Sequence, residues 1–262
     1  MTQITPHGTI DENLRYSQRG ILRSERIYGE GFQTSGGLRL ARELTSALGI
    51  DPGAQVLDLG CGSGGTCLMM SDDYQANVLG IDRSEDSIAI AMQRSLSRKA
   101  SVTFRCADFC EIDSGALYGD LVWASDVLMY VRDITSTFAR MHSWVRKGGR
   151  VFGTDYCRAP GTLSSHFVNY THACGMALST SEEYEAALWG AGFEHVAVED
   201  KTTELIQQLK DEHARLEKGK RQFLEEFSTN EFEYLLDRWR QKIEFCLTSN
   251  FEWVTFSGHR PI

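Results

Sequence analysis

The chain has 262 residues, 42% of them hydrophobic, enough to bury the core of one large α/β domain or of a domain with a sizeable insert. Its formal net charge is −9 and it has no basic run of five or more residues, so nucleic acid, with its repelling phosphates, is not an expected partner. No stretch of 18 apolar residues suits a membrane span, and residues 1–7 lack the basic-then-apolar order of a signal peptide.

Residues 1–40 are polar and carry Arg15, Arg19, Arg23, Arg26 and Arg39. Tyr16, Ile21, Leu22, Ile27 and Tyr28 give this segment a helical rhythm, and it is expected to fold over the site formed by the strands that follow. A helix over 38–48 is stopped by Gly49, with Pro52 beyond it. Strand patterns then fall at 55–60, 77–82, 102–108, 121–127 and 150–156. Helices lie between them at 84–96 and 136–145, the second stopped by Lys147-Gly-Gly149. This alternation predicts a doubly wound α/β sheet. Strands at 193–198 and 251–257 bring the total to about seven, with the last antiparallel.

The alternation breaks between 156 and about 181, and again over 202–250. Leu205, Leu209 and Leu216 have helical spacing on a charged segment. Ser228-x-x-Glu231 is a capping box, opening a helix with Phe232, Leu235, Leu236, Trp239 and Ile243 on one face. These helices are expected to form a lid over the carboxyl ends of the strands. The seven cysteines, an odd number without Cys-x-x-Cys spacing, point to free thiols in a reducing, cytoplasmic compartment. Cys106 and Cys110 lack a second pair or a nearby histidine, so no metal site is expected.

The densest information lies in Val56-Leu-Asp-Leu-Gly-Cys-Gly-Ser-Gly-Gly65 and Val78-Leu-Gly-Ile-Asp82. One strand runs into glycines and the next ends on a carboxylate. Glycines let backbone approach a ligand where a side chain would clash, and the carboxylate of Asp82 accepts ribose hydroxyls. Gly60-x-Gly62-x-x-Gly65 also satisfies the dinucleotide fingerprint. Asp58 argues against that cofactor. A carboxylate at the end of the first strand repels a pyrophosphate but suits a ligand with an ammonium and a sulfonium. Asp-x-Gly-x-Gly-x-Gly followed by a strand-end acid resembles class I methyltransferases, which use S-adenosylmethionine. That resemblance implies a Rossmann-like fold of about seven strands with a helical lid. Gly60, Gly62, Asp58, Asp82 and Arg83 are the expected cofactor residues around the loop.

Methyl transfer is an in-line displacement, and an amine nucleophile must first lose a proton. Asp126, Tyr130 and Tyr156 stand at or just beyond the ends of the fourth and fifth strands and are the expected catalytic residues; helix capping and packing are the alternatives. Asp108 ends the third strand, where it would bind the adenine amino group with Phe109 against the ring. Ser125, beside Asp126, joins the cofactor set.

Phe32-Gln-Thr-Ser-Gly-Gly37, Asp155-Tyr-Cys157 and the helical insert resemble the phosphoethanolamine N-methyltransferases over nearly the whole chain. Those enzymes methylate phosphoethanolamine three times to phosphocholine. The resemblance implies that Tyr16 closes over the active site and that Thr34 lies beside the cofactor. It implies that Tyr170 and Lys242 bind phosphate. It also marks departures. Tyr130 stands where the family has a histidine, Arg15 where it has a glutamine, and Cys174 and Met176 where it has a phosphate-gripping arginine and tyrosine. Arg15 and Lys242 are expected to compensate in part at a phosphate or, equally, to serve a carboxylate.

The expected organisation is an amino-terminal helical lid over 1–40, an S-adenosylmethionine-binding core over 41–156, a helical substrate lid over 157–250 interrupted by a core strand near 193–198, and a final core strand over 251–262. The expected substrate is a small zwitterion, foremost phosphoethanolamine or a methylated form. The alternatives are N- or S-methylation of a carboxylate-bearing molecule, and a non-catalytic cofactor-binding protein. A monomer or weak homodimer, without nucleic acid or membrane, is expected.

Overall fold

The computed structural model describes residues 15–96, 98 and 101–262. Seven strands form one sheet: β1 (Gln55–Leu59), β2 (Asn77–Asp82), β3 (Val102–Cys106), β4 (Gly119–Ser125), β5 (Val145–Arg158), β6 (Glu194–Asp200) and β7 (Phe251–His259). Their order is β3-β2-β1-β4-β5-β7-β6. All neighbours pair in parallel except β7, which runs antiparallel between β5 and β6. The expected α/β class, strand number and antiparallel last strand all hold. The strand order reverses between β1 and β4, which opens a crevice at their carboxyl ends.

Alternating side chains cover both faces of the sheet. Leu57, Leu59, Val122 and Ala124 bury against Phe138, Trp144, Tyr184 and Leu188 of the helices α5 (Ile134–Trp144) and α7 (Ser181–Ala191). On the other face Val56, Leu121 and Trp123 meet Ala41, Cys67, Met70 and Ile88 from α2 (Gly37–Ser46), α3 (Gly65–Tyr74) and α4 (Glu85–Leu96). A third cluster lies beyond the carboxyl end of β5. There Tyr156, Phe251 and Trp253 pack with α6 (Ser165–Ala173), α8 (Thr202–Lys218), the short α9 (Lys220–Phe223) and α10 (Thr229–Leu247). Leu205, Leu209 and Leu216 are buried in it, as their spacing predicts.

The amino-terminal helix α1 (Gln18–Tyr28) bridges core and insert. Arg19 forks onto Glu231 of α10 at 2.7 and 2.9 Å, and Glu25 takes both Arg94 Nη atoms of α4 at 2.6 Å. The expected Ser228–Glu231 capping box is present, so Glu231 serves the helix and α1 together.

Some boundaries differ from the sequence reading. α5 starts earlier because Asp133 caps it, accepting from Ser136 N–H at 2.9 Å. It stops at Trp144, and Lys147-Gly-Gly149 instead lies in β5. The β4 register jumps there from Gly119↔Val145 to Leu121↔Arg150, so the glycines fill a bulge rather than a helix cap. β3 ends at Cys106 because Asp108 caps a 3-10 turn, Phe109–Glu111. β4 ends at Ser125 because Asp126 adopts φ +53°, and β1 ends at Leu59 because Gly60 adopts φ +72°. Ile243 is only part-buried, and Lys242 takes the buried position on that turn of α10.

Among the described residues, no helix is long and apolar enough to cross a membrane, and no cluster of three or more His, Cys, Asp or Glu side chains is arranged to hold a metal ion.

Candidate active site

The loop after β1 builds the floor of the crevice. Gly60 N–H and Cys61 N–H donate to Ile81 O at 2.7 and 3.1 Å, which locks the loop to β2. A Cβ on Gly60 would lie 2.4 Å from Val127 Cγ2, so backbone alone fits here. Asp82 Oδ2 accepts from Gly62 N–H at 2.9 Å and Oδ1 from Ser84 N–H at 2.8 Å. These bonds aim the carboxylate along the loop. The segment before α2 closes the other side. Gly65 N–H donates to Gly31 O at 3.1 Å, a backbone-on-backbone approach, since a Cβ on Gly31 would be 2.6 Å from Gly65 Cα.

A cavity of about 560 Å³ lies above this floor. Its wall contains Gly60, Gly62, Asp82, Arg83, Asp108, Phe109, Ser125 and Thr34, together with Asp126, Tyr130, Arg15 and Tyr16. Twelve residues chosen from the sequence thus share one space. Its volume is in the usual range for ligand sites, roughly 300–1,000 Å³. Asp108 Oδ1 accepts from Cys110 N–H at 2.8 Å, so it is a cap as well as a wall residue.

Asp58 stands apart from that wall. It shares the α3-facing side of β1 with Val56, and its Oδ2 accepts from Cys67 Sγ at 3.1 Å beneath the loop. Burial, with Asp82 nearby, raises its carboxyl to about 7 against the opposing Cys67 bond. The strict alternation of a strand turned this side chain under the loop rather than into the crevice.

Tyr130 gathers two of the expected substrate residues. Its hydroxyl accepts from Arg15 Nη1 and from Tyr16 Oη, each at 3.0 Å. Asp126 sits across from this group. Its N–H donates to Thr154 O at 2.8 Å, and its Oδ1 accepts from Thr154 Oγ1 at 3.0 Å and Trp253 Nε1 at 2.9 Å. A left-handed aspartate is tolerated but costs about 1–3 kcal/mol, a strain that clusters at functional sites. Burial raises its affinity for a proton; the Trp253 N–H and the charge of Lys242 oppose that.

A second, smaller cavity of about 30 Å³ lies behind Arg15, which with Gln33 lines both spaces. Arg23, Arg238 and Lys242 join Arg15 around it. Lys242 is 9% exposed and donates to Tyr156 Oη at 3.1 Å. Burial, then Arg238 and Arg15, lowers its ammonium to about 7. Arg15 and Lys242, from opposite ends of the chain, are therefore brought together as expected. Neither Tyr156 nor Tyr170 is in either wall: Tyr156 reaches the small cavity only through Lys242, and Tyr170 packs on Phe245 and Phe251, with the Arg238 guanidinium 5.6 Å from its ring centre.

The family described as "Methyltransferase domain" matches residues 50–189, more than half of the chain and all of the glycine-loop half of the sheet. The chain belongs to the methyltransferase domain family. This methyltransferase is similar to phosphoethanolamine N-methyltransferase 3 of Arabidopsis thaliana, 35% identical over 249 residues, which cover 95% of the chain and 51% of the plant protein. It thus spans about half the length of the curated plant relatives it matches. The phosphoethanolamine N-methyltransferase of Plasmodium falciparum is 29% identical over 253 residues, with 95% of each chain covered. Phosphoethanolamine N-methyltransferase 2 of Haemonchus contortus, solved with phosphomonomethylethanolamine and S-adenosylhomocysteine, matches with a TM-score of 0.91 at 28% identity, over 96% of this chain and 59% of that one.

Arg238, in the wall of the smaller cavity, and Trp253 and Glu212, which line neither cavity but hold residues of the site, escaped the sequence reading. Arg238 precedes Lys242 by one helical turn, a spacing that was available as a signal. Trp253 is paired with Tyr156 across the β5–β7 register, which sequence order alone hides. Glu212, on α8, is buried and accepts from Gly36 N–H at 2.8 Å and Ser35 Oγ at 3.1 Å, fastening the segment that carries Thr34.

Proposed function

We propose that this methyltransferase uses S-adenosylmethionine to N-methylate a phosphobase, foremost phosphoethanolamine or a methylated form. The observation that carries the reading is the adjacency of the two cavities across Arg15. A nucleoside-sized space walled by Asp82 and Asp108 adjoins a cationic one, with Asp126 and Tyr130 on the wall of the larger space. When bound, the cofactor supplies a methyl group on a sulfonium. The glycine loop fits it because Gly60 leaves no room for a side chain.

The chain's own residues then divide the work. Asp82 accepts the ribose hydroxyls, with Arg83 and Thr34 beside it. Asp108 and Phe109 hold the base, with Gly62 and Ser125 lining the path. Asp126 orients the substrate amine and balances the positive charge that develops on it. The hydroxyls of Tyr130 and Tyr156 fix the nucleophile, and their faces shelter a methylated ammonium. Arg15 and Lys242 take the anion, and Tyr16 closes over the site. Of the expected amino-terminal lid over 1–40, residues 1–14 lie outside the described residues; residues 15–40 and 157–250 are the lids in this reading, around a core of 41–156 completed by 251–262. The protein works in the cytoplasm as a monomer or weak homodimer, without nucleic acid.

The test is a methyl-transfer screen with labelled S-adenosylmethionine over phosphoethanolamine, its mono- and dimethyl forms, glycine, methionine and related sulfides. Label in a phosphobase supports the reading. Label only in a carboxylate-bearing acceptor, or in none, overturns it.

A further inference from the structure

We propose that Arg238 is a specificity-determining residue that, with Arg15 and Lys242, shapes the small cavity for a dianion and makes this chain prefer a phosphate monoester to a carboxylate. The inference deepens the reading above and rests on it only for the identity of the rest of the substrate.

Three observations converge. First, Arg15, Arg238 and Lys242 line one space of about 30 Å³, though they come from the start of the chain and from α10. Arg23 lines it too, but is drawn to Glu231 at 3.7 Å. Second, these cations act on one another. Arg238 and Arg15 both weaken the hold of Lys242 on its proton, and Arg238 opposes the charge of Arg15. Guanidiniums do not shed protons, so the lysine is the member that yields. An anion entering this space reverses that pressure. The acids that share the field, Asp126 and Glu212, have other bonds, the first to Thr154 and Trp253 and the second to Ser35 and Gly36.

Third, the guanidinium of Arg238 is already oriented. It lies 5.6 Å from the ring centres of both Tyr170 and Tyr234, and its Nη1 is 3.4 Å from Tyr234 Oη and 3.6 Å from Cys174 Sγ. These contacts fix the direction of the planar guanidinium at the cavity wall. Tyr170 thus positions the residue that meets the anion. Two guanidiniums and an ammonium offer a dianion charge and geometry that a single carboxylate cannot use in full.

The test uses the full chain and inorganic phosphate and acetate as probes, followed by calorimetry, beside S-adenosylmethionine titrations of the same variants. Arg238→Gln is expected to weaken phosphate binding about tenfold to a hundredfold. It should leave acetate and S-adenosylmethionine binding within about twofold. Arg238→Lys, which keeps the charge but not the fork, should fall between. Unchanged phosphate affinity in Arg238→Gln overturns the proposal. So does an equal loss for phosphate, acetate and S-adenosylmethionine, which marks a merely structural role. If the screen finds no methylated phosphobase while phosphate binding still depends on Arg238, the substrate reading fails and the dianion site stands.

Discussion

Lys242 Nζ donates to Tyr156 Oη across 3.1 Å, and the same ammonium lies 4.5 Å from the centre of the Tyr156 ring. The contact joins α10 to the end of β5, so the buried cation and the strand-end phenol are held as one unit. Burial raises the Tyr156 phenol well above its ordinary range, with Asp126 adding to the effect. It therefore stays protonated, and Lys242 is the member of the pair that titrates near neutrality.

Stability should report that titration. Burial, then Arg238 and Arg15, holds Lys242 at about 7, against an ordinary 10.5. Between those values the unfolded chain binds more protons than the folded one, so this group makes stability rise with pH across the window. Lys242→Met removes the effect. Its melting temperature relative to wild type should be highest near pH 6.5 and should decline toward pH 10, a change on the order of a few kcal/mol. A constant difference across that range would refute the buried, readily deprotonated lysine.

Asp82 combines a loop-ordering role with its place in the cavity wall. Asp82→Ala removes the acceptor of Gly62 and Ser84 N–H as well as the expected ribose contact. S-adenosylmethionine affinity should fall by ~2–3 kcal/mol. Asp82→Asn, which keeps one acceptor oxygen, should lose less. Wild-type affinity in Asp82→Ala, measured by calorimetry, would remove this residue from the site.

Asp126 and Tyr156 should act on turnover rather than on cofactor affinity. Asp126→Ala and Tyr156→Phe are expected to lower kcat on the acceptor found by the screen, by roughly 10²-fold for Asp126. Their S-adenosylmethionine affinity should stay near wild type. Wild-type kcat in both variants would place the chemistry elsewhere. A flat pH–rate profile from about pH 6 to 9 would favour a thioether acceptor, which has no proton to lose.

Glu25 latches α1 to the glycine loop. Its carboxylate accepts from Gly31 N–H at 3.1 Å, Ser63 Oγ at 2.5 Å and both Arg94 Nη atoms at 2.6 Å. Glu25→Ala leaves Arg94 without this partner and should cost about 3 kcal/mol. Melting should drop by roughly 6–12 °C. A double-mutant cycle with Arg94 should recover part of the loss. An unchanged melting temperature in Glu25→Ala would show that the latch carries no stability.

The sequence by itself determined the α/β order, the antiparallel last strand, the glycine loop and Asp82 at the end of β2. Each of these follows from local causes: strand and helix periods, glycine φ and the carboxyl end of a strand. It also singled out Asp126, Tyr130 and Arg15, because strand ends around a switch point and an amino-terminal arginine segment have few places to go. Tertiary structure decided the rest. Asp58 turned under the loop because β1 places it on the same face as Val56. Lys242 shares a face of α10 with Leu235 and Trp239, and what it meets there, the Tyr156 hydroxyl at the end of β5, is decided only by packing. The pairing of Tyr156 with Trp253, and through it the hydrogen bond to Asp126, depends on β7 entering between β5 and β6. Local pattern fixes where a strand or helix forms. Which side chain meets a partner from the far end of the chain is settled only when those elements pack, because burial and charge act through space and not along the sequence.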